Sequence, residues 1–214
     1  DEGGVSGSIS SLALHKNERD LLELVRANFD KVIVLLNSPY QMEVHEIKDY
    51  ADAILFIGYP GHQGFTGVAE ILKGVVNPSG KIVDTYATSS LSAPAVVNSG
   101  TQTPKFSNVD EINSTIGTDE RAEYISFQAE NIYIGYRYYE TAHVPVRYPF
   151  GYGLSYTTFA YSDLKADADK VTFTITNTGS RAGAEIAQLY VAKADAAVFR
   201  PEKELKGFAK VFLQ

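Results

Sequence analysis

The chain has 214 residues, 44% hydrophobic and 21% charged, a balance that fits a folded chain with a substantial core. Its 26 acidic and 19 basic side chains leave a net charge of -7, which argues against a nucleic-acid binder. Cysteine is absent, four histidines are scattered, and no apolar run approaches the roughly 18 residues of a membrane span, so thiolate, His-rich metal and transmembrane classes fall away.

Taken in chain order, Asp1 to Leu12 is Gly- and Ser-rich and reads as a loop. Asn17 to Asn28 reads as a helix with Asn17 as its N-cap and an apolar face of Leu21, Leu22, Leu24 and Val25. Lys31 to Leu36 is a short, nearly continuous apolar run that suits a strand buried on both faces of a parallel sheet. Met42 to Ala51 reads as a weaker amphipathic helix, Ile54 to Ile57 as a second buried strand, and Thr66 to Leu72 as a helix. This alternation predicts an α/β fold with an open, mostly parallel sheet sandwiched by helices. Asn77-Pro-Ser-Gly80 is a turn, Lys81 to Tyr86 a short strand, and Ser89 to Asn108 a long polar loop. From Tyr124 the chain is aromatic and reads as β-rich. Val171 to Ile175, Ile186 to Val191 and Leu205 to Leu213 read as strands of a partial β-sandwich. The expected division is 1–123 for the α/β domain, 124–154 for an aromatic linking segment and 155–214 for the incomplete sandwich.

Four places could carry chemistry. Tyr59-Pro-Gly-His-Gln-Gly64 follows a predicted parallel strand, at the sheet edge where α/β proteins bind ligands; a tight turn capping the strand explains it as well. Arg137 lies among rings, where a guanidinium can stack and fork to a carboxylate, or simply brace a domain junction. Tyr148 to Tyr156 is dense in Gly and rings; its glycines permit positive φ and close backbone approach, and a domain connector packed into a groove explains it as well. Glu2 is a lone acid beside Gly3 and Gly4. Asn113-Ser-Thr115 matches the glycosylation sequon, which matters only in a eukaryotic secretory route. No Gly-x-Ser-x-Gly elbow supports an esterase, and the absence of Trp argues against a free-standing sugar-binding module.

Several strings together resemble glycoside hydrolase family three, the β-glucosidase and β-xylosidase group. They are Ile57-Gly-Tyr-Pro-Gly-His-Gln-Gly64, Gly74-Val-Val-Asn-Pro-Ser-Gly-Lys81, Asn131-Ile-Tyr-Ile-Gly-Tyr-Arg-Tyr-Tyr139 and Tyr148-Pro-Phe-Gly-Tyr-Gly-Leu-Ser-Tyr-Thr-Thr-Phe159. Thr174 to Gly179, Gln188 to Val191 and Arg200 to Phe208 are similar to the family's fibronectin type III-like domain. The resemblance implies part of a retaining exo-β-glycosidase, most simply a β-glucosidase acting on β-glucosides or related oligosaccharides. It also implies a (β/α)8 barrel, from the same gene product or a companion chain, that carries the nucleophile.

By the same resemblance Glu2 corresponds to the acid/base glutamate of a "GEG" loop. Asp1 replaces the first Gly, and Gly7-Ser-Ile9 stands where the family often has "GDR". His62 and Gln63 are the candidate substrate-binding residues at the rim. No metal or organic cofactor is implied, and neither nucleic acid nor membrane is an expected partner; a homo-oligomer stays possible. Retaining glycosidases work with two carboxyl groups about 5–5.5 Å apart, one attacking the anomeric carbon and the other moving the proton. The alternative reading is a non-catalytic structural or sugar-contacting fragment without activity alone.

Overall fold

The computed structural model describes residues 12–97, 111, 114 and 130–214. In chain order the elements are α1 (Lys16–Asn28), β1 (Ile33–Leu36), β2 (Ala53–Phe56), α2 (Gly61–Leu72), β3 (Tyr86–Ala87), α3 (Pro94–Val97), α4 (Tyr136–Thr141), β4 (Val146–Tyr148), β5 (Phe159–Ala166), β6 (Val171–Asn177), β7 (Gly183–Val191) and β8 (Glu204–Leu213).

Helix α1 begins one residue earlier than the sequence suggests, and its cap is His15 rather than Asn17. His15 Nδ1 accepts the Asn17 N–H at 3.3 Å, while the His15 N–H donates to Glu18 Oε2 at 2.7 Å. This reciprocal box satisfies two of the helix's orphan groups. β1 and β2 pair in parallel, Ile33 opposite Ala53 through Leu36 opposite Phe56. Asp52 fixes the pair's start. Its Oδ2 accepts from the Val32 N–H at 2.8 Å and from Arg26 at 2.9 Å.

The α/β core gathers Leu14, Leu36, Val44, Ile47 and Tyr86, with Leu22, Val34, Ile54 and Tyr148 packed against it. Burial on both faces of β1 does not occur. Leu36 is buried, but Ile33 is 52% and Leu35 38% exposed, because the described elements cover one face only. The segment 42–51 is not a helix either. It forms a bridge from Glu43 to Ala13 and a single 3-10 turn over Ile47–Asp49, which drops Val44 and Ile47 into the core.

α2 starts five residues before the expected Thr66, directly after Pro60. The expected strand Lys81 to Tyr86 reduces to Tyr86–Ala87, paired antiparallel with β4. Its first residues bond elsewhere: the Ile82 N–H donates to Tyr152 O, and the Gly151 N–H donates to Ile82 O, both at 2.8 Å. The polar stretch after Ser89 holds a 3-10 turn (Ser90–Ser92) and α3 before it leaves the described residues. The aromatic region expected to be β-rich supplies instead the short helix α4, then β4.

The C-terminal part is β-structure, as expected, in two antiparallel pairs, β5–β6 and β7–β8. The sequence reading missed β5. Its register shifts between Ser162 and Lys165, where Asp163 has φ +55°, and the bulge breaks the alternation that would have marked it. Among the described residues, no helix is long and apolar enough to cross a membrane.

Candidate functional site

Glu2, the candidate acid/base, lies outside the described residues, as does Asn113 of the sequon. The other two candidates are placed. The chain leaves β2 through Gly58 (φ +58°) and turns at Gly61 (φ +62°), so two glycines take the left-handed conformation within four residues. His62 and Gln63 therefore sit in the first turn of α2, not in a loop, and both are exposed. They do stand past the C-terminal end of the parallel pair, the edge at which such sheets bind ligands.

Behind this edge runs a chain of rings. Phe56 meets Tyr86 edge-on at 6.3 Å, Tyr86 meets Tyr148 edge-on at 6.3 Å, and Tyr148 stacks on Tyr152 at 5.0 Å. Burial pushes the Tyr86 hydroxyl up to about 12, with Asp84 adding to the shift. These rings run from β2 into the Gly-rich segment 148–155, which acts as a strap across the β-structure.

The strap is where the specific strings converge. Asn77 Oδ1 accepts from Ser155 Oγ at 2.9 Å and from the Tyr156 N–H at 2.7 Å, and its Nδ2 donates to Ala182 O at 3.0 Å. Tyr156 Oη donates to Ile71 O at 2.9 Å, and Arg181 donates to Gly74 O. Lys81 donates to Gly153 O at 2.7 Å and pairs with Glu185 Oε2 at 3.2 Å. That ion pair is nearly enclosed, at 14% and 13% side-chain exposure. Tyr161 donates to the other Glu185 oxygen at 3.0 Å. Its hydroxyl is pushed up to about 12, by burial first and by Glu185 second. The glycines permit the contact: a Cβ on Gly153 would strike the Gly80 carbonyl, and one on Gly183 would lie 2.6 Å from Asn77 Nδ2.

Sequence reading did not single out Lys81 and Glu185. The available signal was Glu185, the one charged residue in the largely apolar run Gly183 to Val191, where a charge needs a partner. Arg137 resolves to bracing. Its guanidinium lies 5.5 Å over its neighbour Tyr136, and its Nε stands 3.7 Å from Glu204 Oε1. Glu204 also meets Lys206 at 3.3 Å and Arg200 at 3.4 Å; the Lys206 hydrogen bond leads in holding its carboxyl below the ordinary value. No cluster of three or more His, Cys, Asp or Glu that could hold a metal ion occurs among the described residues.

Known proteins share this fold. Residues 2–156 match the family described as glycosyl hydrolase family 3 C-terminal domain. The chain belongs to that family. Residues 185–214 match the fibronectin type III-like domain, in agreement with the strand pair that they form. The thermostable beta-glucosidase B of Acetivibrio thermocellus is 37% identical over 214 residues, covering 94% of this chain and 25% of that protein. Beta-glucosidase A of Butyrivibrio fibrisolvens is 34% identical over 220 residues, covering 92% of this chain and 24% of that protein. Among solved structures, beta-glucosidase 3B from Thermotoga neapolitana in complex with glucose superposes with a TM-score of 0.80 at 36% identity. It covers 99% of this chain and 28% of its own. The chain thus spans about a quarter of the length of these relatives. The α/β fold followed by fibronectin type III-like structure is as the motifs implied.

Proposed function

We propose that the chain is part of a retaining exo-β-glucosidase that removes terminal, non-reducing β-linked glucose. The observation that carries this reading is the match to β-glucosidases over nearly the whole chain, joined to the TM-score of 0.80 with a glucose-bound one. In this reading 1–123 is the α/β domain, 124–154 the linking segment and 155–214 the fibronectin type III-like part. The nucleophile lies on a (β/α)8 barrel outside this chain.

Glu2 protonates the departing glycosidic oxygen and then takes the proton from the water that releases the sugar. His62 and Gln63 contact the substrate from the rim; their exposure beyond the end of β2 supports this role. Glu2→Gln in the full-length enzyme tests the assignment. The kcat/KM for a glucoside with a poor leaving group falls by about 10²–10⁴, while the kcat/KM for one with a good leaving group, which needs little protonation, loses much less; its kcat becomes limited by sugar release, which has lost its base. Equal turnover of the poor substrate by wild type and variant would remove Glu2 from the mechanism.

A further inference from the structure

The strap and β7 enclose a groove of about 460 Å3. That lies within the ordinary range of small-molecule sites, about 300–1,000 Å3. Its walls join apolar ring surface from Tyr136, Phe150 and Tyr190 to polar groups at both ends. Lys81 and Glu185 form one end, and Lys203 and Glu140, paired at 2.9 Å, form the other. Two lysines and two carboxylates cancel, so the lining has no net charge to attract an anion or a cation.

The polar groups keep hydrogen-bonding capacity. An ammonium has three donors, and Lys81 uses two, on Gly153 O and Glu185. Lys203 pairs with Glu140 and lies 5.8 Å over the Tyr190 ring. Tyr190 donates to Gln188 Oε1 at 2.8 Å and leaves its own oxygen able to accept. Gln188 donates from Nε2 to Gly151 O at 3.0 Å, which uses one of its two N–H groups. Unused donors and acceptors therefore share one groove with rings that pack against one another, Tyr136 on Phe150 at 4.8 Å and edge-on to Tyr190 at 5.8 Å. A neutral polyhydroxylated ligand matches that pattern: its hydroxyls both donate and accept, and its C–H faces lie against rings.

We propose that this groove is a saccharide-binding site for one or a few neutral sugar units, built from Tyr190, Gln188 and the Lys203–Glu140 rim. It uses Tyr and Phe rings in a chain that has no Trp.

The test uses the full-length enzyme and thiocellobiose, whose sulfur linkage resists hydrolysis. Titration calorimetry and saturation-transfer NMR are run with and without a 2-deoxy-2-fluoroglucosyl fluoride to block the catalytic cleft. A binding event that survives blocking, and weakens about tenfold in Tyr190→Ala, supports the site; the loss of one aromatic contact is of that size. Glu140→Gln, a change at the half-exposed rim, should weaken the same event and covers the case in which Tyr190→Ala does not fold. Wild-type turnover of an aryl β-glucoside should persist in both variants. The proposal is overturned if no binding survives blocking, or if the surviving binding is the same in the variants as in wild type. Absence of glucoside turnover in the wild type would sink the proposed activity but not the groove, since binding is read separately.

Discussion

Replacing Asn77 with alanine removes three hydrogen bonds that tie the 74–81 turn to the strap and to the approach to β7. Each is worth about 0.5–1.5 kcal/mol net. Water reaches this half-exposed site and can rehydrate some of the abandoned partners, so the expected local loss is about 2 kcal/mol rather than the full sum. The Tyr156 N–H, now bonded to Asn77 Oδ1 at 2.7 Å, reports it directly. Its hydrogen exchange should accelerate by about thirtyfold, since 1.4 kcal/mol is a factor of ten. Ser155→Ala removes one of the same bonds and also the Thr157 N–H bond to Ser155 Oγ at 3.3 Å, so its effect should shrink, without vanishing, in the Asn77→Ala background. Unchanged exchange at Tyr156 in Asn77→Ala would refute the view that this side chain joins the two parts. Full additivity of the two substitutions would refute their coupling.

Other substitutions probe neighbouring contacts. Gly153→Ala drives a Cβ into the Gly80 carbonyl and to 3.0 Å from Lys81 Cδ; the strap must shift, at about 1–3 kcal/mol, lowering Tm. Gly67→Ala meets open space inside α2 and should raise stability by about 0.5–1 kcal/mol. Thermal melts of the two variants should move in opposite directions. Asp52 is held below its ordinary value of 3.8 by the Val32 N–H first, then by Arg26 and Lys31. Its stabilisation is complete above that value and lost as pH falls through the lower folded one. Asp52→Asn should therefore melt below wild type at pH 7, with the gap closing in acid; a gap that stays constant with pH would contradict this. Tyr86 is shifted the other way, from 10.0 to about 12. Its contribution is intact below 10 and lost as pH rises toward 12, so Tyr86→Phe should flatten the alkaline limb of a stability profile.

The sequence by itself determined what local patterns encode. The apolar runs Lys31 to Leu36 and Ile54 to Ile57 coincide with strands, the alternation in Val171 to Ile175 with β6, and the apolar positions Leu21 to Val25 with α1, although Leu21 and Leu24 stay exposed. The four family strings were also legible, because they are contiguous and specific. His62 and Gln63 could be placed beyond a strand end, though not on a helix, because a helix whose N-cap is Pro60 has no Ser, Thr, Asp or Asn there to announce it.

The tertiary structure decided what those strings do. Lys81 and Glu185 are 104 residues apart, and Asn77 and Ala182 are 105 apart, so no local periodicity could pair them. The structure likewise decided that Met42 to Ala51 stays irregular. Its apolar residues are spaced well enough for a helix, but the bridge from Glu43 to Ala13 and the burial of Val44 and Ile47 hold it otherwise. Local propensity is worth tenths of a kcal/mol per residue, whereas burying one such side chain is worth about 1.5–3 kcal/mol. Where the two disagree, long-range packing sets the outcome, and long-range packing is the part that a sequence read in short windows does not display.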